Sequence, residues 1–259
     1  MKTILYTGAR GGIAEKVIEK IKNDYFIYLT VYTNKQLKYV KEKYKNNLNI
    51  NCFKLDITNK NDLKQLEDLD IDILINNAAI GIGGSISEID INKVRENYEV
   101  NVFSSFQIVQ IVLKKMLKKK KGKIIIMGSL ASIFPINFLG VYCSTKASIK
   151  MLTKTLKNEV KLINKDIKIV LIEPGMYFTG FNEYMFENKY DWMEKKSYFK
   201  NQLNYIRKKE YLILKILEKR SLNSIVNVII KAINLKNPHF IYKKPMLQVI
   251  GSKIYQIFG

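Results

Sequence analysis

The sequence predicts an α/β chain of Rossmann type: a doubly wound parallel sheet in a single domain. Three observations carry that expectation. Apolar runs of strand length alternate with stretches of helical periodicity from the first residues onward. A glycine-rich turn directly follows the first run and opens the first helical stretch. The 259 residues also suit one large α/β domain, and no linker or internal repeat divides them.

The elements follow in order. Residues 3–7 form a short β run, and 13–21 read as a helix with Ile13, Val17, Ile18 and Ile21 on one stripe. Residues 25–32 are aromatic and β-branched, as a strand requires, and 35–44 form a polar helix. Strands at 49–55 and 70–75 flank a helix at 60–69. A glycine-rich loop leads to a long helical region over 91–117, a strand at 123–127, a second long helix at 141–163 and a strand at 167–172. This βα repetition calls for helices on both faces of the sheet, joined by right-handed crossovers. Regularity breaks at Pro174-Gly175. Residues 176–211 are aromatic and irregular. A helix near 222–233 and a strand near 240–242 complete the sheet edge.

Composition excludes some classes. Hydrophobic content of 47% and charged content of 26% suit a globular core. No stretch approaches the ~18 uncharged apolar residues of a membrane span, no signal peptide opens the chain, and a cytoplasmic location is expected. The net charge of +21 invites a nucleic-acid reading. The excess is lysine spread through every helix, alongside abundant asparagine, isoleucine and tyrosine, so it reads as compositional bias, and no nucleic-acid partner is expected. The dense lysine run over 114–123 reads as a solvated helix end and turn. Cys52 and Cys143 allow neither a disulfide framework nor a zinc site, and no metal is expected. His239, the only histidine, reads as a surface or edge-strand residue.

Two motifs carry chemistry. In Thr7-Gly8-Ala9-Arg10-Gly11-Gly12-Ile13-Ala14, glycine lets the backbone turn sharply and approach a pyrophosphate seated at a helix N-terminus. In Tyr142-Cys143-Ser144-Thr145-Lys146, a phenol and an ammonium share one helix face. A neighbouring cation favours the phenolate, so the Tyr142 pKa is expected to fall from about 10 towards neutrality, suiting it to exchange a proton with a carbonyl or alcohol oxygen.

With these motifs in register, the chain resembles the short-chain dehydrogenase/reductase family in its roughly 250-residue form, over about residues 2–179. Asn76-Asn77-Ala78-Ala79 looks like the family's Asn-Asn-Ala-Gly segment, with Ala79 in place of glycine. Asp56, with Ile57 beside it, matches the acidic residue that contacts adenine. Asn101 matches the catalytic asparagine, and Ser129, thirteen positions before Tyr142, the catalytic serine. Pro174-Gly175 through Thr179 fits the segment that holds the nicotinamide amide, and residues 176–211 occupy the place of the family's substrate lid, their rings either lining a pocket or packing a helical lid onto the core. The resemblance implies that Ser129 orients the substrate oxygen and that Tyr142 donates the proton. It implies further that Lys146 tunes Tyr142 and binds the nicotinamide ribose, and that Asn101 holds a relay water. The implied cofactor-binding set is Gly8, Arg10, Gly12, Ile13, Thr33, Asn34, Asp56, Ile57, Asn77, Ala78, Ala79, Tyr142, Lys146, Pro174, Gly175 and Thr179.

No carboxylate follows the second strand, where NAD enzymes present one to the ribose 2′-hydroxyl. Arg10, Thr33, Asn34 and Lys35 are available to a 2′-phosphate, so NADP(H) is favoured, with NAD(H) left open. The expected function is reduction of a ketone or aldehyde to an alcohol. An NAD-dependent alcohol dehydrogenase and a non-catalytic dinucleotide sensor are the alternatives. Apolar stripes on the two long helices, by the same resemblance, imply a homodimer or homotetramer. The tail over 243–259 is basic and amphipathic; it either contacts a membrane surface peripherally, folds back over the site, or reaches a partner subunit.

Overall fold

A computed structural model describes the backbone of residues 1–258 and the side chains through Gln256. Seven strands, β1 (Thr3–Tyr6), β2 (Phe26–Val31), β3 (Ile50–Lys54), β4 (Ile73–Asn76), β5 (Gly122–Met127), β6 (Ile167–Pro174) and β7 (Ile241–Lys244), form one sheet. Its order is β3-β2-β1-β4-β5-β6-β7 and every pairing is parallel. The order reverses between β1 and β4, so a crevice opens there, at the carboxyl ends of the strands.

Alternation of side chains along each strand divides the core into two layers. Ile4 and Tyr6 of β1 point to one face with Ile27, Leu29, Ile73 and Ile75. There they meet α1 (Gly12–Ile21), α2 (Asn34–Lys43) and α10 (Asn223–Asn234). Leu5 points the other way with Leu74, Ile124 and Ile126, against α3 (Lys60–Lys64), α5 (Ser105–Lys119) and α6 (Gly140–Ile163). Val17, Ile18 and Ile21 of α1 are fully buried, each removal of such a side chain from water stabilising the fold by roughly 1.5–3 kcal/mol.

Two expectations are corrected and one alternative is resolved. The helical region over 91–117 is not continuous: α4 (Ile91–Tyr98) passes through a π-helical turn, Glu99–Ser104, into α5. The turn carries Asn101, and such widenings of a helix concentrate at functional positions. The segment over 176–211, irregular as a sequence pattern, is largely helical, as one of its two readings had it, comprising α7 (Phe181–Glu187), α8 (Tyr190–Lys196) and α9 (Leu203–Leu217). Two of these helices are only seven residues long, too short for their aromatic residues to show a helical period. The lysine run is only partly solvated. Lys120 ends α5 in the left-handed conformation, but Lys123 is buried. Its ammonium donates to the carbonyls of Ala232, Ile233 and Leu235 at 2.7, 2.6 and 2.8 Å, satisfying the C-terminus of α10. A final helix, α11 (Met246–Phe258), folds back onto the crevice; Gly259 lies outside the described residues.

Candidate active site

A single cavity of about 1400 Å³ runs along the crevice from the glycine-rich turn to the lid. Gly8 adopts φ +66°, a conformation that side chains resist, and a Cβ there would stand 2.9 Å from Ala78 Cα. The turn therefore packs against the end of β4. Thr7 and Asn77 bind it there: Thr7 Oγ1 accepts from the Asn77 and Ala78 N–H groups at 2.9 and 3.1 Å, and Asn77 Nδ2 donates to the Thr7 and Gly8 carbonyls, both at 3.0 Å. Gly11 is the N-cap of α1 and offers no side-chain cap, leaving first-turn N–H groups facing the cavity. A backbone cradle of this kind, at the positive end of a helix, fits a pyrophosphate.

Further along the lining, Asp56 accepts from the Thr58 N–H and hydroxyl through Oδ1 at 3.0 and 2.7 Å, which fixes its carboxylate at the cavity wall beside Ile57. Ala79, Pro174, Gly175 and Thr179 also line the cavity, and a Cβ on Gly12 would press on Thr179 at 3.1 Å. Thr33 and Asn34 do not line it. Thr33 is committed to a capping box with Gln36: its Oγ1 accepts from Gln36 N–H at 3.2 Å, while Gln36 Oε1 accepts from Thr33 N–H at 3.3 Å. Tyr32 and Gln36 take that part of the wall. The spacing Thr33-x-x-Gln36 was the sequence signal for this. Arg10 lines the cavity, stacks 4.2 Å from the Tyr39 ring and pairs with Glu15 at 2.8 Å; Glu15 is shared with Lys43 at 2.7 Å.

At the inner end, Ser129, Tyr142 and Lys146 line the same cavity. Ser129 begins a 3-10 turn (Leu130–Ser132) after β5, and its Oγ accepts from Ala131 N–H at 3.1 Å. Tyr142 and Lys146 lie one turn apart on α6, with the ammonium 5.7 Å from the Tyr142 ring centre. The expected depression of the Tyr142 pKa is not what this arrangement produces. Burial pushes the phenol up, and the Ser129 hydroxyl opposes that only in part. Lys146 is itself buried, pushed down to about 8 by desolvation, and donates to the Met127 carbonyl at 3.3 Å. The i,i+4 spacing was visible in the sequence, but the desolvation that overrides it was not.

Asn101 stands behind this wall, not on it. Its Nδ2 donates to the Ile80 carbonyl at 2.8 Å and to Thr145 Oγ1 at 3.1 Å, and its Oδ1 accepts from Ile80 N–H at 2.9 Å. Both amide hydrogens are used, and the side chain ties the loop after β4 to α6.

Three residues escaped the sequence reading. Glu173, fully buried beside Pro174, accepts from Ser132 Oγ at 2.8 Å and faces Lys150 at 3.3 Å and Lys243 at 3.2 Å. Lys243 lies off the hydrogen-bonding direction of the carboxylate oxygen it approaches, so that contact is ionic only. Gln248 of α11 accepts from Met176 N–H at 2.7 Å and donates to the Met176 and Leu217 carbonyls at 3.3 and 2.7 Å, gripping the segment after Pro174-Gly175. Glu210 accepts from Lys189 Nζ at 2.8 Å and Tyr190 OH at 2.7 Å, locking α8 to α9 inside the lid. Phe181, Met185 and Phe186 pack with Tyr142 and make the substrate end apolar. His239 is exposed and outside the lining; Cys143 and Cys52 are buried free thiols.

A crevice where the strand order reverses, with an anion cradle at one end and a hydroxyl, a phenol and an ammonium at the other, defines a dinucleotide-binding oxidoreductase architecture. The chain belongs to the short-chain dehydrogenase family, a family of NAD(P)-dependent oxidoreductases, whose model matches residues 2–190. It is 30% identical over 143 residues to the "probable short-chain type dehydrogenase/reductase VdlC" of Helicobacter pylori, covering 53% of this chain and 52% of that protein. It is 29% identical over 188 residues to the NADPH-dependent 3-dehydrocapnine reductase of Ornithobacterium rhinotracheale, covering 68% and 65%. The chain thus matches between half and two thirds of the length of these relatives. The closed form of a serine dehydrogenase complexed with NADP+ shares the fold at TM-score 0.77, with 20% identity and 95% of each chain covered.

Proposed function

We propose that this chain is an NADP(H)-preferring reductase that converts a ketone or aldehyde on an apolar substrate to an alcohol. The observation that carries the reading is the continuity of one cavity from the glycine-rich cradle to Ser129, Tyr142 and Lys146. The cradle would hold the pyrophosphate, Asp56 and Ile57 the adenine, and the segment from Pro174 to Thr179 the nicotinamide; when bound, the reduced cofactor supplies a hydride. Arg10, together with Tyr32 and the free amide of Gln36, would meet a ribose 2′-phosphate, and no carboxylate of the β2–α2 turn opposes it. The 3-dehydrocapnine reductase relative is NADPH-dependent, which supports the same preference.

Ser129 hydrogen-bonds the carbonyl oxygen. Tyr142 gives that oxygen its phenolic proton, and burial, by pushing the phenol up, keeps the proton in place until it is needed. Lys146, charged below about pH 8, stabilises the phenolate left behind. Asn101 is a positioning residue, fixing Thr145 between the two catalytic side chains of α6. Phe103, Met151 and Leu152 are exposed on the π turn and α6, and we assign them to a homo-oligomeric interface; a 30.2 kDa species alone in solution would refute this.

The test is oxidation of NADPH and NADH across ketones, aldehydes and 3-ketoacyl thioesters, with Tyr142→Phe as control. Turnover that is faster with NADPH and abolished by the substitution is expected. Turnover that survives in Tyr142→Phe would overturn the mechanism, and tight nucleotide binding with no turnover on any carbonyl would favour a sensor.

A further inference from the structure

The mouth of the cavity has an apolar exterior. On α9, Tyr205, Leu212 and Ile216 are spaced by seven and four residues and share one outward stripe, with Ile216 68% exposed. On α11, Leu247, Ile250 and Ile254 form a second stripe at spacings of three and four, with Leu247 85% exposed. The helices are adjacent, because Gln248 Nε2 donates to the Leu217 carbonyl at 2.7 Å. Both also reach the interior: Tyr205 and Leu217 line the cavity from one side, Leu247 and Tyr255 from the other. The two stripes therefore frame an opening that leads to the apolar wall around Tyr142.

The exposed charges carried by the two helices have one sign, and the exposed acids nearest α9, Glu187 and Glu194, are paired with Arg207. Lys208, Lys209, Lys215 and Lys253 are exposed along the two helices. The acids of the same stretch are withdrawn: Glu210 is buried against Lys189, Glu218 is half-buried beside Asn182, and α11 has no acid. Paired apolar stripes flanked by lysine match an anionic lipid surface, in which apolar side chains enter the acyl boundary while ammonium groups meet head groups. A second copy of the chain is a poorer match, since it would face lysine with lysine and cover this opening into the apolar cavity.

We propose that α9 and α11 dock on a bilayer containing anionic lipid and hold the cavity mouth at its surface, so that an apolar substrate enters from the lipid. The docking rests on the stripes and charges alone; the entry of a substrate rests on the reductase reading above. The test is co-sedimentation of the full chain with vesicles of phosphatidylcholine, or of phosphatidylcholine with phosphatidylglycerol. It compares wild type with Ile216→Ser/Ile250→Ser/Ile254→Ser, three exposed positions outside the cavity lining, and with Lys208→Glu/Lys215→Glu/Lys253→Glu. Wild type should sediment with the anionic vesicles and be released by salt, and each variant should lose about tenfold or more of its partitioning. The far-ultraviolet spectrum and the turnover of a small water-soluble ketone should stay unchanged in the serine variant. No binding to anionic vesicles, equal binding to phosphatidylcholine alone, or binding unaffected by either variant would overturn the proposal. A drop in solution mass of the serine variant, with no change in sedimentation with vesicles, would assign the patch to a second copy. Failure of the reductase reading would show separately, as absence of ketone turnover with vesicle binding intact.

Discussion

Removing the Glu173 carboxylate should loosen the catalytic end of the crevice, and the cost can be worked from its contacts. The group is completely buried and links three elements: Ser132 at the end of the turn that starts from Ser129, Lys150 one turn beyond Lys146 on α6, and Lys243 on β7. Breaking a buried pair by deleting one partner costs about 3–5 kcal/mol when the other charge stays buried. Here the lysine side chains retain 18% and 26% exposure and can turn partly to water, so about 2–3 kcal/mol is the better figure for Glu173→Ala. At about 2–4 °C per kcal/mol for a domain of this size, the melting temperature should fall by roughly 5–10 °C. Glu173→Gln keeps an acceptor for Ser132 and should lose about half as much. Circular dichroism melts of the three proteins measure this directly. Because the node ties the turn that carries Ser129 to the helix that carries Lys146, kcat should fall in Glu173→Ala while nucleotide affinity stays near that of wild type. A Glu173→Ala melt within about 1 °C of wild type would refute the assignment of Glu173 as a structural tie.

Other expectations are more direct. Lys146 has its pKa pushed down to about 8, so it is charged below that value; carbonyl reduction should decline as pH rises through about 8, and a rate that stays flat to the alkaline limit of stability would contradict its role. Arg10→Ala removes a charge-assisted contact of about 1.5–3 kcal/mol, so NADPH affinity should weaken by roughly tenfold to a hundredfold with NADH little changed, as titration calorimetry would show. Lys123→Met leaves three carbonyls at the end of α10 without their donor, and should lower urea stability by about 1–3 kcal/mol despite burying no charge; an unchanged midpoint would mean that water replaces the ammonium.

What the sequence disclosed follows the range of the physics involved. The βα order was readable because each strand and its helix are local patterns of period 2 and 3.6. The turn at Gly8 was readable because a left-handed backbone against Ala78 leaves glycine as the residue that fits. Tyr142 and Lys146 were readable from one helical turn. Properties set at a distance were not. Desolvation of Tyr142 depends on a lid of seven-residue helices, and the burial of Lys123 on a helix more than a hundred residues later. Thr33 looked placed for a phosphate until the fold left it outside the cavity lining, in a capping box with Gln36. The grip of Gln248 on Met176 joins residues 72 positions apart, and no local pattern announces it.

That grip has a consequence for how such a chain can diversify. The stretch shared with the family ends at residue 190, and every residue assigned to proton or hydride chemistry lies within it. The outer wall, from α9 and α11, lies beyond it, where family resemblance has faded. A lineage could remodel that wall for a new substrate and leave the reaction intact, were the two stretches mechanically separate. Gln248 makes them one part: it stands in the wall and holds both the N–H and the carbonyl of Met176, next to the proposed nicotinamide seat. Changes that shift α11 to widen the entrance will also move that seat, so new specificity and loss of rate should arise together until a second substitution restores the clasp.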